Sequence, residues 1–157
     1  MTSQTNKMAS IDEELKTKFV HDKHRLFANV VFTSNWLSNL VAKFLAPFDL
    51  TSPQFNILRI LRGAKDWVSM NDIKRLMVEK SPHTTRLVDK LQKKELVERK
   101  RSEKDRRVVY VSITQKGLDL LAEIDIKSKE SNHMLALDRI TDDEANKVNE
   151  ILTKLRG

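Results

Sequence analysis

A mainly α-helical domain carrying one small β-hairpin is the fold class that this sequence predicts. Three observations predict it. Only three glycines and three prolines occur in 157 residues, so few positions stop a helix. Ser or Thr recurs three places ahead of Glu, Gln or Asp, the spacing of a helix start in which the hydroxyl accepts from an early backbone N–H. Over residues 103–114, EKDRRVVYVSIT, a charged run passes directly into apolar residues alternating with period two, the mark of a strand.

The elements follow in order. Ser10 and Glu13 open a first helix whose Leu26, Val30, Leu37, Leu40, Val41 and Phe44 keep helical spacing up to Pro47. Thr51 and Gln54 open a second, with Phe55, Leu58 and Leu61, ending near Gly63. Ser69 and Asp72 open a short third, with Ile73, Leu76 and Met77. Ser81 with Pro82 opens a fourth, spanning 82–94, because Pro at the first helical position lacks an N–H that would be unpaired anyway. Leu96–Arg99 and Val108–Ile113 form the hairpin strands, joined by KRSEKDR. Thr114 precedes a fifth helix, 115 to about 137, with Leu118, Leu121, Ile124 and Met134. Thr141 and Glu144 cap a sixth, with Val148, Ile151, Leu152 and Leu155. Residues 1–9 read as a frayed tail.

The third and fourth helices are separated only by Glu79, Lys80 and Ser81, a helix-turn-helix spacing. A hairpin directly after such a pair makes a winged helix-turn-helix, expected over 49–114. The segments 10–48 and 115–157 form a helical region around it. Long terminal helices with apolar stripes bury them against a second copy, so a homodimer is expected.

Charge supports a nucleic-acid partner. The formal net charge is +7, and residues 80–113 alone hold 11 basic against 5 acidic residues. A local basic patch on a balanced chain suits a polyanion, although a solvated basic face would look the same. The second helix of a helix-turn-helix presents its N-terminal residues to base edges in the major groove. Here these are Ser81, Pro82, His83, Thr84, Thr85 and Arg86, with groups suited to groove hydrogen bonds. Leu87, Val88 and Leu91 read as the buried face, and Lys90, Lys93 and Lys94 as the outward one. The basic tip, 100–107, with Arg101, Lys104, Arg106 and Arg107, suits an adjacent minor groove, where the negative potential is strong. Asp105, two before Arg107, is placed to fix its guanidinium. The bland alternatives are a capped surface helix and a charged hairpin that protects an edge strand.

Other classes find little support. There are no cysteines, so disulfides, Cys-based zinc sites and thiol redox sensing are excluded. No run of 18 apolar residues occurs, and the first twenty residues lack the apolar segment of a secretory signal, so no membrane partner and a cytoplasmic location are expected. Gly63, Gly117 and Gly157 are isolated, so no phosphate-binding glycine loop exists. His21 and His24 lie three apart, but two ligands do not make a metal site. No enzyme, metal or cofactor is expected. Trp36 and Phe44 read as packing residues.

The run 81–121, SPHTTRLVDKLQKKELVERKRSEKDRRVVYVSITQKGLDLL, resembles the MarR family of bacterial transcription regulators. TRLVDKL matches its recognition helix, and DRR with the following alternation matches its wing. Thr114, Gln115, Lys116 and Gly117 match its T-x-K-G, and LTSPQFNILRIL, 50–61, looks like its second helix. The pattern extends over about 25–155. The resemblance implies a homodimer interlocked through its terminal helices, each subunit reading half of a pseudo-palindromic site on double-stranded DNA. It implies a repressor released by a small aromatic or anionic effector, with a pocket near Phe27, Val31, Asn35 and Trp36 facing Phe55 and Leu58. It implies DNA contacts from Ser81, His83, Thr84, Thr85 and Arg86, with Arg107 in the minor groove held by Asp105. One departure stands out: Glu95 occupies a position where the family commonly has Gly, whose backbone suits a left-handed helix end. The competing reading is a winged-helix protein- or RNA-interaction module without operator specificity.

Overall fold

The computed structural model describes residues 9–78, 83–130 and 139–157. The expected tail (up to residue 8), the Ser81–Pro82 start of the fourth helix, and Met134 lie outside the described residues. The chain divides into two compact units, 1–40 and 41–157. The division falls inside a long helix rather than after it, between Leu40 and Val41.

In the first unit the predicted single helix is two. Ser10 caps α1 (Ile11–Glu14) with a reciprocal Ser10–Glu13 box, as the spacing predicts. The helix then stops, because Lys16 adopts a left-handed φ of 48°. The Lys16 N–H donates to the Glu13 carbonyl and the Thr17 N–H to that of Asp12, the paired bonds of a Schellman end. The Asp12 carboxylate also accepts from the Phe19 N–H at 3.4 Å and pairs with Arg25 at 3.3 Å. α2 (Asp22–Leu45) restarts beyond this turn. A capping pattern marks where a helix begins and says nothing of how far it runs.

The second unit holds the core. Leu45 is buried and Phe44 packs against that core. A turn at Ala46–Phe48 leads to α3 (Ser52–Ala64), where Thr51 and Gln54 make the predicted capping box. Ile57, Leu58 and Leu61 of α3 are buried. Ser69 caps α4 (Met70–Leu76) by accepting from the Asp72 N–H at 3.1 Å. Ile73 and Met77 point inward, but Leu76, expected beside them, is exposed. α5 (Thr84–Lys93) buries Val88 and Leu91.

The sheet has three antiparallel strands in the order β1-β3-β2. β2 (Val97–Arg101) pairs with β3 (Val109–Ile113), Val97 opposite Ile113 and Arg101 opposite Val109. β1 (Val68–Ser69) adds to the free side of β3. Two residues carry no readable period, and Ser69 serves both β1 and the α4 cap, so this strand left no sequence signal. α6 (Gln115–Glu130) sends Leu121 and Ile124 into the same core. As far as Ile124, α6 therefore packs with the core of 49–114. Thr141 caps α7 (Asp142–Arg156) with Glu144, and no residue of α7 is buried. Hydrogen bonds from Thr141 hold the Glu144 carboxyl below the ordinary range.

The T-x-K-G motif locks the end of α5 to the start of α6. Glu95 takes the left-handed conformation, φ 61°. The Glu95 N–H donates to the Gln92 carbonyl and the Leu96 N–H to that of Leu91. The turn thus keeps the geometry that glycine favours, with Glu in its place. The Thr114 hydroxyl donates to the Glu95 carbonyl at 2.7 Å and accepts from the Gly117 N–H at 3.1 Å. Lys116 pairs with the Glu95 carboxylate at 2.8 Å. That hydrogen bond and the Lys116 charge hold the Glu95 carboxyl below its ordinary range. Gly117 is needed for space: a Cβ there would press on the Leu96 carbonyl oxygen and lie 2.7 Å from Ile113 Cγ1.

Candidate nucleic-acid interface

α5 is two-faced. Val88 and Leu91 pack into the core while Thr85, Arg86, Lys90 and Lys93 are exposed. His83, at the N-cap position, is also exposed. Thr84 does not fit its expected role. Its side chain is 0% exposed, and its hydroxyl meets the Met77 sulfur at 3.6 Å. It secures the start of α5 from inside and cannot offer its hydroxyl to a groove. Lys94, expected to face out with Lys90 and Lys93, is engaged: its ammonium pairs with the Asp49 carboxylate at 2.8 Å and contacts the Asp49 carbonyl.

The hairpin connection runs through the seven residues 102–108, because β2 continues two residues past its expected end to Arg101 and β3 starts one residue later than expected, at Val109. It is organised by its own polar atoms. The Ser102 N–H donates to the Val108 carbonyl at 3.0 Å, and the Val108 N–H to the Asp105 carbonyl at 2.9 Å. The Ser102 hydroxyl accepts from the N–H groups of Lys104 and Asp105, both at 3.3 Å. Asp105 accepts from the backbone N–H of Arg107 at 3.0 Å. This corrects the expectation that Asp105 fixes the guanidinium. The carboxylate is two residues ahead, close enough to close an Asx turn on the backbone, and among the described residues no ion pair joins the two side chains. Arg101, Lys104, Arg106 and Arg107 are all exposed. Lys100 instead lies over the Trp67 ring, 4.1 Å from its centroid.

The expected ligand-pocket residues fall in different units. Phe27, Val31, Asn35 and Trp36 lie exposed on α2 in the first unit, Phe27 at 69%. In the second unit Phe55 packs on the core beneath Arg59. Leu58 is 0% exposed within that core, so it cannot line a ligand site without opening the core. A cavity of about 580 Å³ does occur in the second unit, lined by Ala46, Asp49, Leu50, Gln54, Lys90 and Lys93 among others. Sequence reasoning missed it, because 46–54 and 87–94 are joined only by tertiary packing. His21 and His24 meet edge to face at 5.5 Å. Among the described residues no group of three metal-ligating side chains occurs, and no helix is long and apolar enough to cross a membrane.

A two-faced helix after a short helix pair, followed by a basic hairpin on a small sheet, defines a winged helix-turn-helix protein. Residues 50–109 match the MarR family model. The HTH-type transcriptional regulator MgrA of Staphylococcus aureus is 27% identical over 145 residues, covering 85% of this chain and 92% of its own. Over residues 50–109 the chain is thus similar to the MarR family of transcriptional regulators. The regulator MhqR of Bacillus subtilis is 37% identical over 82 residues, 52% of this chain and 56% of its own. Among solved structures, AbsC, a MarR family transcriptional regulator from Streptomyces coelicolor, superposes with a TM-score of 0.77 at 20% identity, covering 89% of this chain and 96% of its own. An Escherichia coli MarR mutant complexed with operator DNA gives 0.75 at 23% identity, covering 88% and 99%. Both share the fold.

Proposed function

We propose that the protein is a homodimeric, sequence-specific DNA-binding repressor that reads a pseudo-palindromic operator. In each subunit α5 enters the major groove with His83, Thr85 and Arg86 toward base edges and Lys90 and Lys93 toward phosphates. Ser81, immediately upstream, completes the set. The wing enters the adjacent minor groove with Arg107, flanked by Arg101, Lys104 and Arg106. Asp105 acts by shaping the backbone beneath Arg107.

The observation that carries this reading is the pairing of two exposed basic elements on one small lobe. α5 turns Arg86, Lys90 and Lys93 outward, and the neighbouring tip turns Arg106 and Arg107 outward. Dimerisation is supported by the exposed apolar side chains of Phe27 and Val31 on α2 and of Val148, Ile151 and Leu155 on α7, stripes that a second copy would cover. An anionic effector is supported by the cavity at Lys90 and Lys93, where a bound anion would take up the charges offered to phosphate. Repression as the outcome rests on the family resemblance.

Selection of random duplex DNA on the purified protein at physiological salt tests the reading. A two-fold symmetric site with half-sites about one helical turn apart is expected. An unenriched pool bound by the ligand-free protein would favour the non-specific module instead.

A further inference from the structure

We infer that Arg99 is a positioning residue that fixes the wing relative to the recognition helix, so that Arg107 reaches the minor groove only while Arg99 holds α5. The inference rests on the DNA-binding reading above. Arg99 lies at the middle of β2, opposite Val111 of β3. Its side chain turns back onto α5 and is only 19% exposed. One terminal nitrogen lies 2.7 Å from the Asp89 carboxylate. The other donates to the Thr85 carbonyl at 3.2 Å.

Thr85 and Asp89 are four residues apart, so one guanidinium spans one turn of α5. A planar, rigid fork holds both contacts only in a narrow range of geometries. Sliding or rotating α5 against β2 breaks one of them. β2 continues without interruption into the tip, so the same contacts set where Arg107 lies relative to Arg86.

Stability alone does not account for this arrangement. Val88, Leu91 and Val97 already pack in the common core. A half-buried ion pair adds little stability after desolvation but does specify geometry, and the Arg99 Nε is buried without a hydrogen-bond partner among the described residues. The Lys100–Trp67 contact ties β2 to the base of the sheet and leaves α5 ungripped. Arg99 is therefore a polar tie from the wing to the recognition helix.

A double-mutant cycle on the intact protein tests this, with affinity for the selected operator measured by fluorescence anisotropy. Wild type, Asp89→Asn and Arg99→Gln are each measured with and without Arg107→Ala, at a temperature where circular dichroism shows all six folded. In wild type Arg107→Ala is expected to weaken binding roughly 10- to 100-fold. In either background the same substitution should cost less than about 3-fold, because a displaced wing has already lost its contact. A full Arg107 penalty in folded Asp89→Asn or Arg99→Gln, with only the melting temperature lowered, overturns the inference and leaves the DNA-binding reading intact. Wild type that does not prefer the selected duplex over random duplex overturns that reading, and the inference with it.

Discussion

Helix α5 and the wing tip both carry net positive charge and are built on opposite plans. α5 commits one face to the core through Thr84, Val88 and Leu91. The tip from Glu103 to Arg107 commits none; all five residues are exposed, and backbone and Asx-type hydrogen bonds give it its shape. In α5, folding and the proposed recognition therefore share one short segment, and neighbouring positions serve different ends. At the tip, Asp105 shapes the backbone, while the exposed Lys104, Arg106 and Arg107 side chains are available to a partner, and their removal leaves the core untouched.

The largest effect should come from the inward face of α5. Leu91→Ala is expected to cost about 2–5 kcal/mol of stability, as for other fully buried leucines, measured by chemical denaturation. Where the variant is still folded, its operator preference should be that of wild type. At the tip the reverse is expected. Arg107→Ala should weaken operator binding by about 1–3 kcal/mol while changing stability by less than about 0.5 kcal/mol. Thr84→Ala divides the two plans within one turn. It should lower stability by about 1–2 kcal/mol, the scale of deleting a buried, hydrogen-bonded hydroxyl, and leave the ranking of operator variants unchanged. If that ranking changes, Thr84 reads bases after all.

Smaller effects sharpen the contrast further. Lys93→Ala should weaken binding evenly across sequences and reduce the salt slope by about one, as loss of one phosphate contact does. The smallest expected effect is on acid stability. Lys116 holds the folded-state Glu95 carboxyl below its ordinary value. The stabilisation is thus complete above the ordinary glutamate range and is lost as pH falls through the lowered folded value. Glu95→Gln should differ from wild type by a small, constant amount near neutrality, and the difference should vanish in acid. The pair is exposed, so solvent and salt keep the effect small. Melting temperature followed against pH measures it.

The same contrast explains what the sequence made legible. Helix starts were readable because a capping box is local: Ser10, Thr51, Ser69 and Thr141 all cap helices as their spacing predicts. The hairpin was readable because period two is local. Helix ends depend on backbone conformation, so the stop at Lys16 was invisible. Thr84 was misassigned because position in a motif does not reveal which way a side chain turns; the Met77 sulfur that receives its hydroxyl is seven residues away. Asp105 meets the Arg107 backbone and not its guanidinium, since a carboxylate two residues ahead reaches a backbone N–H as easily as a side chain. The Arg99 tie joins Thr85, Asp89 and a strand, a tertiary relation with no local signature.

The central claim is that helix and wing read one operator through different grooves. Hydroxyl-radical and methylation footprints of the selected operator, with wild type and with Arg107→Ala, test it most directly. Loss of minor-groove protection beside each half-site, with major-groove guanine protection retained, is the predicted result. Unchanged minor-groove protection in the Arg107→Ala complex would contradict it.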